Sequence, residues 1–348
     1  MKSILLLGLV SALTVWGQEP QTNPAARPRH AGPRLIFPQS VAVDSAGNVF
    51  VTDSFGIRKV APAGVMTTVV DRLGPDARAG STNRAERFRP PVGVAVDGAG
   101  NLFLAYTFGN TILKVTSAGV VTLVAGGESP GYADGVGGAA RFGYPRGVAL
   151  DPAGNLFVAD TSNHVIRVVT PAGVVTTLAG SPGRAGSADG TGAAAQFNAP
   201  RGVAVGRGGV VFVADTDNHT IRRVTPSGRV QTLAGAPGHA GSADGTGGMA
   251  QFDGPRSVAV DRAGNVFVAG TLNNTIRKVT PDGVVTTLAG RAARGTLPVD
   301  GMGSVARFSH PKGVALDGAG NVFVADTHTQ RIRKVTPEGV VTTVEGSP

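Results

Sequence analysis

Six copies of one sequence unit fill almost all of this 348-residue chain. Each opens on a proline (Pro38, Pro91, Pro145, Pro200, Pro255, Pro311), and the openings stand 53, 54, 55, 55 and 56 residues apart. A repeat of this length is one small supersecondary unit that cannot bury its apolar face alone, so neighbouring copies must stack. The third copy predicts four strands, at residues 147–151, 155–160, 165–170 and 174–180. Val, Ile, Phe and Thr fill them, and turn residues bound them. The turn Asp151-Pro-Ala-Gly-Asn155 supplies glycine where a positive φ is needed, and Thr170-Pro-Ala-Gly173 presets φ with proline. Each copy therefore reads as a four-stranded antiparallel meander.

Both faces of these strands are apolar. Phe50, Phe103, Phe157, Phe212, Phe267 and Phe323 recur at one place in the second strand, and Ala105, Ala159, Ala214, Ala269 and Ala325 follow two residues later on the same face. A sheet buried on both faces needs a neighbour on each side. Six such sheets packed face to face in a closed ring satisfy every copy, so the expected fold is all-β, a six-bladed β-propeller of four-stranded antiparallel blades over residues 34–348. A linear solenoid fits poorly, because the first and last copies carry none of the departures expected of caps. The ring should close by packing of blade one on blade six, with no exchanged strand.

Between the second and third strands stand Asn163-His164-Val165 and Asn218-His219-Thr220, with Asn110-Thr111, Asn273-Asn274-Thr275 and Thr329-Gln330-Arg331 as variants. On these residues the units resemble the NHL family, named for an Asn-His-Leu tripeptide at that place. The resemblance covers residues 34–348. It implies the propeller and leaves the activity open, since the family includes RNA-binding modules, sensor domains, adhesion modules and an amidating lyase.

Residues 1–17 read as a signal peptide: Lys2, an apolar run from Ile4 to Trp16, then Val15 and Gly17 suited to cleavage before Gln18. The run is too short to span a bilayer comfortably. Residues 18–33 are polar and proline-rich, a disordered lead-in. A secreted or periplasmic address follows as an expectation, with no stable membrane anchor. That compartment permits disulfides, yet the chain has no cysteine, so ring closure and core burial must supply stability. The formal net charge of +9 favours acidic partners.

The chain direction sorts the loops. The second turn and the blade connections emerge on one face of the ring, and the Asp-x-Ala-Gly-Asn turns on the other. On the first face, the residues after the anchor prolines are Arg146, Arg201, Arg256 and Lys312, with Gln39 and Val92 completing the ring and His310 beside Lys312. These cations converge on the channel mouth as an anion site. The competing expectation pairs each with a connection aspartate such as Asp189 or Asp244. Asp53/Arg58, Asp160/Arg167, Asp215/Arg222 and Asp326/Arg333 are expected as structural pairs, because copy two loses both members together, at Tyr106 and Leu113. The Asp-Gly pairs of the connections read as turns or N-caps of a short helical turn. Phe142, Phe197, Phe252 and Phe308 read as plugs between blades.

No cofactor, metal site or catalytic residue is read from the chain. Its innermost strands carry neither histidine nor an acid before their ends, and no Gly-x-Ser-x-Gly elbow or cysteine nucleophile occurs. Past Trp16 the chain has three tyrosines and no tryptophan, too few for nucleic-acid stacking. The expectation is a non-catalytic binding or scaffold propeller for a protein or anionic ligand. The alternative is an enzyme of the six-bladed lactonase or hydrolase type.

Overall fold

A computed structural model describes residues 34–71, 91–292 and 297–346. The expectations for residues 1–33 lie outside the described residues. The fold is a six-bladed β-propeller. Blade three shows the pattern: strands Pro145–Leu150, Leu156–Asp160, Val165–Val169 and Val174–Ala179 run from the axis outward, each antiparallel to the next. These bounds fall within two residues of those read from the sequence. The innermost strands of successive blades lie side by side, and Ser40–Val43 of blade one meets Pro311–Leu316 of blade six. Among the described residues no strand is exchanged at that seam. The ring closes through Val41, Val49 and Val51 of blade one against Phe323, Ala325 and Ile332 of blade six.

Blades three to six depart from the expected four strands. Each gains a fifth, two-residue strand from the connection before it: Gly135–Val136, Gly190–Thr191, Gly245–Thr246 and Gly301–Met302. Each pairs with the outer edge of the blade that follows. The connections before blades one and two lie largely outside the described residues. Covering the outer strand removes some of the exposed edge that invites aberrant pairing.

The second strands are buried on both faces, as Val211–Asp215 is at every residue. Adjacent blades share a core. Between blades four and five, Phe212, Ala214 and Ile221 pack on Val258, Val266 and Val268, with Phe252 as the plug. At Gly147 the innermost strands of blades three and four approach so closely that a side chain would clash. A Cβ on Gly147 would lie 2.3 Å from the Arg201 carbonyl oxygen.

On the turn face, aspartate and asparagine close the first turn. Asp97 Oδ1 accepts the Ala99 and Asn101 N–H groups, and Oδ2 accepts the Asn101 side-chain amide. Asp44, Asp151, Asp261 and Asp317 repeat the bonds to their own asparagine. Both carboxylate oxygens are thus engaged by N–H donors. Blade four has Gly206 and Val210 instead and keeps only the backbone bond, Gly206 N–H to Val210 O at 2.8 Å.

Candidate functional site

On the loop face two kinds of hydrogen bond tie neighbouring blades, the first at five seams and the second at four. A threonine after the second strand donates to the anchor-proline carbonyl of the following blade: Thr107 to Pro145, Thr161 to Pro200, Thr216 to Pro255, Thr271 to Pro311, and Thr327 to Pro38 across the seam, all within 2.8 Å. The residue before the proline donates its N–H to Asn110 Oδ1, His164 Nδ1, His219 Nδ1 or Asn274 Oδ1 of the preceding blade. His164 and His219 thus accept through an unprotonated Nδ1. Burial lowers the pKa of His164 from the ordinary histidine value. The donors sit at positive φ, 51° at Tyr144 and His310 and 47° at Ala199, a strained geometry for residues with a Cβ.

Directly after four of the clamped prolines the pairing register slips, between Pro145 and Val148, Pro200 and Gly202, Pro255 and Ser257, and Pro311 and Gly313. Such an irregularity re-aims a side chain, and the residue at the slip is the cation. Arg146, Arg201, Arg256 and Lys312 all line one axial cavity of about 80 Å³, with Gln39 and Val92 completing the circle. The sequence-predicted cations are therefore brought together.

Connection aspartates do not neutralise them, which corrects the competing expectation. Among the described residues, the one carboxylate within 4 Å of the four is Asp217, whose Oδ1 lies 3.9 Å from Arg201 Nη2. Lys312 Nζ donates to Gln39 Oε1 at 2.9 Å across the seam. Burial, then repulsion from Arg256, Arg146 and Arg201, pushes Lys312 down to about 8. Burial, then Arg201 and Arg146, pushes Arg256 down to about 10 against the pull of Asp217. Burial and Arg201 lower Arg146 as well. A cluster whose members depress one another stabilises any anion placed among them.

His310 borders this site. Its ring stacks on His328 at 4.0 Å, and His328 meets Phe37 edge-on at 6.3 Å. His310 Nδ1 is buried without a hydrogen-bond partner among the described residues. Burial and then Arg256 and Lys312 hold His310 below the ordinary value. Sequence reasoning missed His328 and Phe37, which belong to the last and first blades and meet only because the ring closes. Further round the rim, Phe108 and Tyr144 pack edge-to-face at 6.4 Å.

The aspartate–arginine pairs form a separate, structural layer. Arg58, Arg167, Arg222 and Arg333 lie 3.3, 2.9, 2.7 and 3.2 Å from Asp53, Asp160, Asp215 and Asp326. The connection aspartates are here too, and they are not helix N-caps. Asp134, Asp189, Asp244 and Asp300 lie 2.5 to 2.7 Å from Arg167, Arg222, Arg277 and Arg333, and accept from Thr177, Thr232, Thr287 and Thr343. Each of these four arginines is fully buried and sits 5.2 to 5.3 Å over a plug phenylalanine, Phe142, Phe197, Phe252 or Phe308. Each also donates to two connection carbonyls, as Arg222 does to Gln196 and Ala188. The arginine staples the connection to the blade that follows it. Burial is the largest influence on Asp160, Asp215 and Asp326 and pushes them up to about 6.

The family model for the NHL repeat matches residues 142–169, 197–224 and 308–335. NHL repeat-containing protein 2 of Bos taurus is 30% identical over 291 residues, covering 71% of this chain and 39% of that protein. The chain spans about two fifths of the length of the curated relatives it matches first. Among solved structures, an auxiliary nutrient binding protein from Bacteroides thetaiotaomicron superposes with a TM-score of 0.64 at 16% identity, covering 90% of this chain and 70% of that one. A gluconolactonase from Xanthomonas campestris gives a TM-score of 0.53 at 14% identity, covering 89% and 87%. At such identities these likenesses show the propeller fold alone.

Proposed function

We propose that this chain, an NHL-repeat β-propeller protein, is an extracytoplasmic, non-catalytic binding module that holds the anionic part of a protein or other ligand at the loop-face mouth of its channel. The observation that carries the reading is the axial cluster of Arg146, Arg201, Arg256 and Lys312 with one carboxylate, Asp217, at its edge. The clamps on Pro145, Pro200 and Pro311 fix the backbone beside Arg146, Arg201 and Lys312, so little ordering is left to binding. The N-terminal segment supports the extracytoplasmic address.

The test is a charge-removal variant, Arg146→Ala with Arg201→Ala, titrated against polyglutamate and heparin at low salt beside the parent. The parent should bind, and should weaken as salt rises, because charges at a solvent-facing mouth are screened over about 10 Å at 0.1 M ionic strength. The variant should bind about tenfold or more weakly. Equal binding by the two proteins would overturn the assignment. Hydrolysis of a lactone by the purified protein with a tightly held divalent metal would replace it with a catalytic reading.

A further inference from the structure

A second cavity opens on the opposite face, between blades four and five. Its volume is about 200 Å³, and Arg207, Arg223 and Arg262 line it together with Val210, Phe212 and Pro281. It lies where the repeat breaks its own rule. In the other five blades the first turn carries an aspartate whose carboxylate is closed by asparagine. Blade four replaces both residues, with Gly206 and Val210, and sets Arg207 between them. The missing carboxylate would stand in the neighbourhood of Arg223, as Asp97 does for Lys114 in blade two, where the two attract. Gly206 and Val210 line the cavity beside the ring of Phe212. A Cβ at Gly206 would come within 3.1 Å of that ring, so the glycine also fits the hollow sterically.

The cations are not explained by pairing. Among the described residues, no carboxylate lies within ion-pair distance of Arg207, Arg223 or Arg262. Asp261, next to Arg262, is occupied by Ala263 and Asn265. Three arginines with no internal counter-charge, facing one cavity with an apolar floor, match a ligand with an oxyanion at one end and an apolar body at the other. Guanidinium forks suit tetrahedral oxyanions, which they bind bidentately.

We propose that this cavity is a binding site for an organic phosphate or sulfate ester, its oxyanion held by Arg207, Arg223 and Arg262 and its body against Val210, Phe212 and Pro281. It is separate from the channel mouth and rests on different residues.

The test measures binding of phenyl phosphate, phenyl sulfate and inorganic phosphate by calorimetry at low salt. One variant, Arg207→Ala with Arg223→Ala, removes charge. A second, Gly206→Asp with Val210→Asn, brings back the aspartate and asparagine that the other five blades carry, and its thermal unfolding is measured beside the parent's so that loss of binding by a folded variant is told from misfolding. At least one phenyl ester should bind to the parent more tightly than inorganic phosphate, and each variant should weaken it about tenfold or more. The mouth variant Arg146→Ala with Arg201→Ala should bind the ester like the parent, which separates this site from the channel reading. No binding of either ester, unchanged binding by the restored-turn variant, or inorganic phosphate bound as tightly as both esters would overturn the proposal.

Discussion

A fully buried arginine is costly unless every charge around it is answered, and the staple arginines of this ring differ in how they are answered. Arg222 lies between Asp215, buried like itself, and the half-exposed Asp189. Among the described residues Arg277 has Asp244 alone, because Gly270 stands where the strand-ending aspartate would be. Removing one partner of a buried pair strands the other, a loss of about 3–5 kcal/mol. Arg222→Met should therefore destabilise the protein by about that amount, while Arg277→Met, which strands no fully buried carboxylate, should cost clearly less. Urea unfolding of the two variants beside the parent checks the order; equal losses would show that the strand-ending aspartate contributes little. The strand-end half of this layer was legible in the sequence, through the joint loss at Tyr106 and Leu113. The other half was not. Asp189 precedes Arg222 by 33 residues and lies on the connection before the blade, so no hairpin distance points to it. One signal was present: Arg277 persists although Gly270 has lost its acid, which already demanded a second partner.

The loops between second and third strands act as latches between blades, and the residue types allowed there follow from what the latch accepts. Asn110, His164, His219 and Asn274 all offer an acceptor to the next blade's pre-proline N–H. His164→Asn should be nearly neutral, since asparagine does the same work at two other seams. His164→Leu leaves the Ala199 N–H unpaired and should cost about 1–2 kcal/mol, read by thermal unfolding. The pH dependence has a definite sign. Burial holds the folded-state pKa of His164 below its unfolded value, so as pH falls below about 6.5 the unfolded chain takes up the proton more readily and stability declines. His164→Asn should lack that part of the decline. Strands and tight turns were legible because valine, phenylalanine and glycine recur at fixed offsets. The two-residue fifth strands were not, because Gly190–Thr191 has no pattern long enough to read and is a strand only by its partner, Arg229–Ala234.

Across the whole molecule, ring closure turns six modest positions into one electrostatic object, and its pH behaviour separates two effects of opposite sign. With Lys312 held near 8 against 10.5 in the unfolded chain, the unfolded chain binds more protons between those values, so stability should rise with pH through that window. Anion binding at the mouth should fall as pH climbs through about 8, as Lys312 loses its charge. Lys312→Met should flatten both responses, measured by thermal unfolding and by polyglutamate titration from pH 7 to 10. A binding profile unaltered by the substitution would remove Lys312 from the site. The convergence of the four cations was legible from the repeat. Their lack of counter-charge was not, since it depends on where the connection aspartates go. All the ladder pairing of blade three falls between Gly135 and Ala179, and that of blade four between Gly190 and Ala234. A coding segment for one such span can thus be copied or lost in frame without cutting a ladder. Tandem duplication is then nearly free of local penalty, and the geometry of closing a circle is what selects how many copies a gene of this kind retains.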